Sequence, residues 1–313
     1  MKRSVFINKL ESLKIVAHRL GYKMTNYPEN SIDVLYAIFN NEGMLNSCDG
    51  FEFDICFTKD HIPVVIHDKY IDDISDGNGL IKEYFLEELK KFNFGYRKSL
   101  NDNSSKDYKI VTLEEVLDFF TNNKNLLDKK IIKIETKDIL NSNNADLLVL
   151  ANIFNNYVDI ANNIEHISYY PQNLINLKKI QVKKKYTITK TNFLCDDKIM
   201  FYVSRLIKSL DGISLRIITT SLPKPSKNNS KRVNKKIKKD LFFIKYAKRL
   251  DEKTLRYVIN KYGRIGLYTL NDEVEIDNFC KYISEEFFDE YADRMIFTSD
   301  NPQKLKQLNY NQK

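Results

Sequence analysis

Eight residues able to move protons, ligate a metal or hold an anion fall within about fifty positions near the N-terminus. The stretch IVAHRLGYKMTNYPENS carries His18, Arg19, Glu29 and Asn30, and GFEFDICFTKDHIPVVIHD carries Glu52, Asp54, His67 and Asp68. The segments around them are otherwise apolar and read as buried strands. Charge on a buried strand is costly unless a metal or an anion balances it. Carboxylates, imidazoles and a guanidinium gathered this way point to metal-assisted phosphoryl transfer.

Spacing sharpens that reading. Side chains on a strand alternate, so Glu52 and Asp54 face the same way while Phe51, Phe53 and Ile55 face the other. In KIIKIETK, Glu135 and Lys137 share a face with Lys133, opposite Ile132 and Ile134. Three carboxylates converging on one place repel unless a cation lies between them. An all-oxygen set suits one divalent cation, Mg²⁺ or Ca²⁺, rather than a soft metal. Taken singly, Glu135–Lys137 or Asp54–Arg19 would serve equally well as an interior ion pair. The full set at the ends of three strands favours a site.

His18 and His67 each end an apolar run beside a charged neighbour, Arg19 and Asp68, and can transfer protons near neutral pH. His61 and His166 lack that company and read as a hairpin-turn residue and a structural residue. Arg19 offers a fork of donors to a phosphate. Pro28–Glu29–Asn30 leads into a helix with Asn30 as its N-cap, a place that can also lie beside a bound anion.

The elements that must position these groups follow from apolar periodicity. Strands are expected at about 14–18, 51–57, 131–136, 165–169, 185–189, 211–216, 264–269 and 294–298. Helices are expected between them, among them 31–40, 113–122 and 251–261, with Thr112 as an N-cap. The run at 63–68 follows FEFDICF too closely for a parallel crossover and must return as a hairpin partner. The remaining eight or so parallel strands suit an α/β fold, a TIM (β/α)8 barrel with a small insertion after the second strand and hairpin. Residues 1–313 read as one barrel domain, with the insertion at about 69–111 and a basic loop at about 219–240.

Composition agrees. A hydrophobic fraction of 42% and an aromatic fraction of 12% supply a large core, and nine Gly and six Pro leave little for long linkers. Much of the net charge of +8 sits in Lys224–Lys239, which reads as a solvated basic loop and a surface that anionic membrane would attract weakly. It lacks interleaved aromatics, which argues against nucleic acid as a partner. Four scattered cysteines form no CxxC pair and read as reduced packing residues of a cytoplasmic protein. The first residues have no signal-peptide apolar core, and no run is long enough for a transmembrane segment.

The motifs together resemble the glycerophosphodiester phosphodiesterase family. Its pieces stand here as HRLG (18–21) with PENS (28–31), EFDICFTKDHIPVVIHD (52–68), IETK (134–137) and FTSDNP (297–302). SDGNGLIKEYFLEELKKFNFG (75–95), VTLEEVL (111–117) and YTLND (268–272) are similar to its insertion, the following helix and a late strand. The resemblance is specific over 14–137, thin over 138–262 and moderate beyond. It implies hydrolysis of a small-molecule glycerophosphodiester to sn-glycerol 3-phosphate and an alcohol. Glu52, Asp54 and Glu135 would hold the divalent cation, His18 and His67 would act as general base and general acid in an order left open, and Arg19 and Lys137 would steady the phosphate. Glu29, Asn30 and Asp68 would support them. The chain departs from the family pattern at Leu20, inserted between HR and Gly21, at Lys133, at Tyr268 where Trp is usual, and in TSDNP, one residue longer. An alternative keeps the barrel and changes the substrate, to a lysophospholipid or another phosphodiester. A non-catalytic anion-binding protein working through Lys224–Lys239 would leave the carboxylate set without a purpose.

Overall fold

Phe51, Phe53, Ile55, Ile132 and Ile134 are buried among helix residues such as Val34, Leu117, Phe120 and Leu147, so one face of each strand looks outward into a helical shell. The other face, carrying the charged residues, is thereby turned inward. The computed structural model describes residues 1–95, 106–127, 129–138, 145–195, 210–216 and 251–309. Its strands are β1 (Lys14–Ala17), β2 (Gly50–Phe57), β3 (Pro63–Val65), β4 (Ile131–Thr136), β5 (Ile164–Ser168), β6 (Lys190–Cys195), β7 (Gly212–Arg216), β8 (Ile265–Tyr268) and β9 (Met295–Ser299). They run in the order β1-β9-β8-β7-β6-β5-β4-β2, and β1 pairs with β2 to close the ring. All these pairings are parallel. Only β3 runs antiparallel, on the outer half of β2. The chain is a TIM-type barrel.

Helices Ile32–Phe39, Leu113–Asn122, Ala145–Asn156, Pro171–Lys184, Glu252–Tyr262 and Glu273–Cys280 form the outer layer. Thr112 caps its helix as expected: its hydroxyl accepts the Glu115 N–H at 3.1 Å while the Glu115 carboxylate accepts the Thr112 N–H at 2.6 Å. Such a reciprocal cap is worth about 1 kcal/mol. A second apolar cluster backs β8 and β9, with Phe6 packed on the rings of Phe279, Phe288 and Phe297. Val64 of β3 and residues after the strand form a cluster of their own, including Ile66, Ile71, Ile81, Leu89 and Ile110. Among the described residues no helix is long and apolar enough to cross a membrane.

Two expectations need correction. The strand expected at 185–189 does not form. Helix Pro171–Lys184 runs on to a left-handed cap at Lys185 (φ 58°), Ile188 is exposed, and β6 begins only at Lys190. Asn30 is not a helix N-cap. It lies in the left-handed region (φ 58°), while Ser31 takes the cap position, without a side-chain bond, ahead of Ile32. The four cysteines are buried and none forms a disulfide. Burial pushes the thiols of Cys48 and Cys280 up to about 11, as befits inert packing groups. The basic loop at 219–240, with Lys224–Lys239, lies outside the described residues.

Candidate active site

The carboxylates of Glu52 and Asp54 on β2 and Glu135 on β4 come together because the two strands pair in register, with Asp54 beside Glu135 and Glu52 beside Lys133. All three are buried, and one oxygen of each lies within 4.8 Å of the others. Lys137, just past β4, places its ammonium 2.9 Å from Asp54 Oδ1 and 2.8 Å from Glu135 Oε1. Neither oxygen is in hydrogen-bond alignment with it, and Asp54 Oδ2 is buried without a donor as well. Burial and then the neighbouring Asp54 push the Glu52 carboxyl up. Burial likewise raises Glu135, to about 8, against the pull of Lys137. Burial would raise Asp54 too, but Lys137 and, after it, the two imidazoles hold it at about 2. One ammonium among three buried carboxylates leaves negative charge and orphaned oxygens. That donor set fits a hard divalent cation.

A three-residue turn after β1 sets the first histidine and the arginine. Arg19, Leu20 and Gly21 all have positive φ, at 48°, 63° and 87°. The φ of Gly21 favours glycine, and a Cβ there would also meet Ile38 Cδ1 at 2.9 Å and displace that side chain. The inserted Leu20 is fully buried in the apolar cluster outside the barrel and anchors this strained turn. As a result the Arg19 N–H donates to Glu52 Oε2 at 3.2 Å, and the Arg19 guanidinium grips both oxygens of Glu29 at 2.9 and 2.7 Å. Glu29 therefore orients Arg19 rather than meeting a ligand directly.

His18 and His67 line one cavity of about 400 Å³ with Arg19, Glu52, Glu135, Lys137 and Lys133. His18 Nε2 is 3.7 Å from Glu52 Oε2. Its Nδ1 is 2.6 Å from Asp300 Oδ1. His67, which follows β3, has Nδ1 3.1 Å from Asp68 Oδ1, and Asp68 is more exposed. His61 sits in the hairpin turn (φ 62°). His166 is buried on the outer face of β5 with Nε2 2.7 Å from the Thr136 hydroxyl. Burial lowers its pKa to about 3, so it stays neutral. Asn30 and Ser31 lie against a second cavity of about 360 Å³, walled by Tyr22, Tyr27, Phe94 and Tyr108.

Sequence reasoning missed two parts of this arrangement. Asp300, at the end of β9, reaches His18 because β9 pairs with β1. Asp300 stood within the motif-like FTSDNP (297–302), but nothing in the sequence tied it to His18. Beneath the carboxylates, Lys133 stands beside Glu165, which is ion-paired to Arg264. Burial lowers the Lys133 pKa, opposed by Glu165. Lys133 was legible as an inward cation, but its partners on β5 and ahead of β8 were not.

Residues 21–285 match the model of the Glycerophosphoryl diester phosphodiesterase family. A glycerophosphodiester phosphodiesterase of Caldanaerobacter subterraneus is 41% identical over 83 residues, 26% of this chain and 31% of that protein. One of Bacillus altitudinis is 35% identical over 131 residues, 40% of this chain and 45% of that protein. The matched segments thus span less than half of either relative's length. A solved Oleispira antarctica phosphodiesterase, in complex with the product sn-glycerol-3-phosphate, superposes with a TM-score of 0.63 at 18% identity, covering 96% of this chain and 98% of that one.

Proposed function

The chain belongs to the glycerophosphoryl diester phosphodiesterase family, and from that premise we propose that it hydrolyses glycerophosphodiesters to sn-glycerol 3-phosphate and an alcohol. One observation carries this reading. The buried Glu52–Asp54–Glu135 cluster faces two carboxylate-supported histidines across a single cavity at the C-terminal ends of the barrel strands, where barrel enzymes keep their chemistry.

Glu52, Asp54 and Glu135 would hold Mg²⁺ or Ca²⁺, which when bound supplies positive charge against the phosphoryl oxygens. Arg19, fixed by Glu29, and Lys137, fixed by Asp54 and Glu135, steady the phosphate. One imidazole takes a proton from the attacking water as the new O–P bond forms. The other returns a proton to the alcohol oxygen as the old P–O bond breaks. Asp68 supports His67, and Asn30 lies in the turn that delivers Glu29. The unit is one barrel carrying an insertion after β3, and buried cysteines with no disulfide accord with a reducing, cytoplasmic setting. Weak contact of Lys224–Lys239 with anionic membrane belongs to the same reading.

The decisive assay is release of glycerol 3-phosphate from glycerophosphocholine and glycerophosphoethanolamine with Mg²⁺, with Ca²⁺ and with EDTA. Metal-dependent release that His18→Ala abolishes is expected, and no release from folded protein under any metal would overturn the assignment. The second cavity favours a runner-up. Its walls include Ile74, Phe94 and Ile110, and it adjoins Glu29 of the Arg19–Glu29 pair, so it suits a glycerol half that carries an acyl chain. Faster turnover of a lysophospholipid than of glycerophosphocholine would select that lysophospholipase D reading.

A further inference from the structure

We infer that Asp300 is a positioning residue for His18, holding the imidazole by Nδ1 so that it exchanges protons with the substrate only through Nε2. The inference rests on the hydrolytic reading of the cavity and deepens it.

The two residues lie 282 positions apart, yet His18 Nδ1 and Asp300 Oδ1 are separated by 2.6 Å. Neither falls within the span 21–285 that matches the family model. Asp300 is itself held at two further points. Its second oxygen is ion-paired with Lys23. Its N–H donates to Asn271 Oδ1 at 2.7 Å, and that oxygen also accepts the Ser299 hydroxyl at 3.3 Å. Asn271 is held in turn, its N–H donating to Glu275 Oε2 at 2.5 Å. The carboxylate therefore cannot follow the ring; the ring must conform to it.

Burial would raise the Asp300 carboxyl, but the hydrogen bond from His18 and the Lys23 ammonium hold it at about 2. An ionised carboxylate accepts and never donates, so the proton on the facing ring nitrogen is Nδ1–H. In the neutral imidazole the lone pair then lies on Nε2, which points into the cavity beside Glu52. Fixing tautomer and orientation together is the role a buried carboxylate plays toward a working histidine in general. His67 has a looser counterpart, since Asp68 is its chain neighbour, lies farther away and is 41% exposed at the side chain.

The test is the near-isosteric Asp300→Asn in the full chain. Its amide can donate to Nδ1 and so drive the proton to Nε2. With glycerophosphocholine and the activating metal, kcat should fall by about 100-fold with KM within about threefold. The nitrogen chemical shifts of His18 should move from the Nδ1–H to the Nε2–H pattern, and Asp300→Glu should restore part of the rate. Lys23→Ala removes only the outer brace, on a half-exposed side chain whose loss the fold tolerates. It should lower kcat about threefold to tenfold while His18 keeps its Nδ1–H signature. A purely structural Asp300 would leave kcat and the His18 tautomer unchanged in Asp300→Asn, and that result overturns the inference. Absence of any wild-type turnover of glycerophosphodiesters would instead defeat the assigned reaction. The nitrogen spectra would still decide whether Asp300 fixes His18.

Discussion

The two sides of the barrel mouth differ in kind. On the side of β1, β2 and β4, the cavity wall is His18, Arg19, Glu52, His67, Glu135 and Lys137, with Asp54 beneath. Across from it, on β6 to β8, the wall is Leu194, Ser214, Tyr268 and Thr269, with Arg216 at the rim. The charged side is self-supporting: Arg19 leans on Glu29, Lys137 on two carboxylates and His18 on Asp300. On the facing side, hydroxyls meet each other, as Tyr169 and Tyr268 do at 3.0 Å, and the Tyr268 hydroxyl donates to the Cys195 carbonyl at 3.3 Å. A buried charge is tolerable only beside its complement, so the reactive groups had to be drawn from neighbouring strands. The opposite wall is under no such constraint and is free to shape what fits.

Substitutions on the two walls should therefore differ by orders of magnitude. Glu52→Gln removes one of the three carboxylate charges and leaves a single amide oxygen to accept the Arg19 N–H. Activity should fall on the order of 10³-fold or more, and metal affinity, read by calorimetry, should fall with it. Full activity in this variant would place the metal elsewhere. His67→Ala should cost about 10²–10⁴ in kcat while leaving metal affinity unchanged. A parallel loss of metal would make His67 part of the ligand set instead.

A pH experiment measures how tightly the charged side is tied together. The Asp300 carboxyl titrates at about 2 in the folded protein and near 4 when unfolded. The unfolded chain thus takes up the proton first as pH falls. The stabilisation is complete above about pH 4 and is lost between about 4 and 2, amounting to about 2 kcal/mol. Denaturant unfolding should show that loss in the wild type and a smaller one in Asp300→Asn. Equal slopes in both would mean that the carboxylate is not held by His18 and Lys23. The smallest effect belongs to the neutral wall. Tyr268→Phe deletes one hydroxyl pair and should destabilise by about 1 kcal/mol with kcat within a few-fold. A loss rivalling His67→Ala would erase the contrast between the walls.

How much of this could be read from sequence depended on the range of the contact. Glu52 with Asp54, and Glu135 with Lys137, were legible because alternation on one strand fixes their common face. The hairpin at β3 was legible from a connection too short to cross over. The strand after helix Pro171–Lys184 was placed five residues early, because Tyr186, Thr187, Ile188 and Thr189 favour strands locally. The helix runs through Lys184, and its left-handed cap at Lys185 spends those residues on the turn back to the barrel. Asn30 was read as a cap from its type alone, whereas its backbone conformation serves the turn that delivers Glu29 to Arg19. Asp300 was visible as part of FTSDNP, but its contact with His18 was not, because the two lie 282 positions apart. Only the closure of β9 on β1 gives it a partner.

That closure also ties the timing of competence to the order in which the chain is made. The carboxylate cluster and both histidines are encoded before residue 138, yet the ring joins only when β9 docks against β1. A nascent chain lacking its last strand has no Asp300 to hold His18 and leaves the edge of β1 open to solvent. Translation must therefore run past residue 300 before the earliest-made part of the site gains its last support. A chain released short of that point would carry the carboxylate cluster and both histidines and still lack the contact that orders His18.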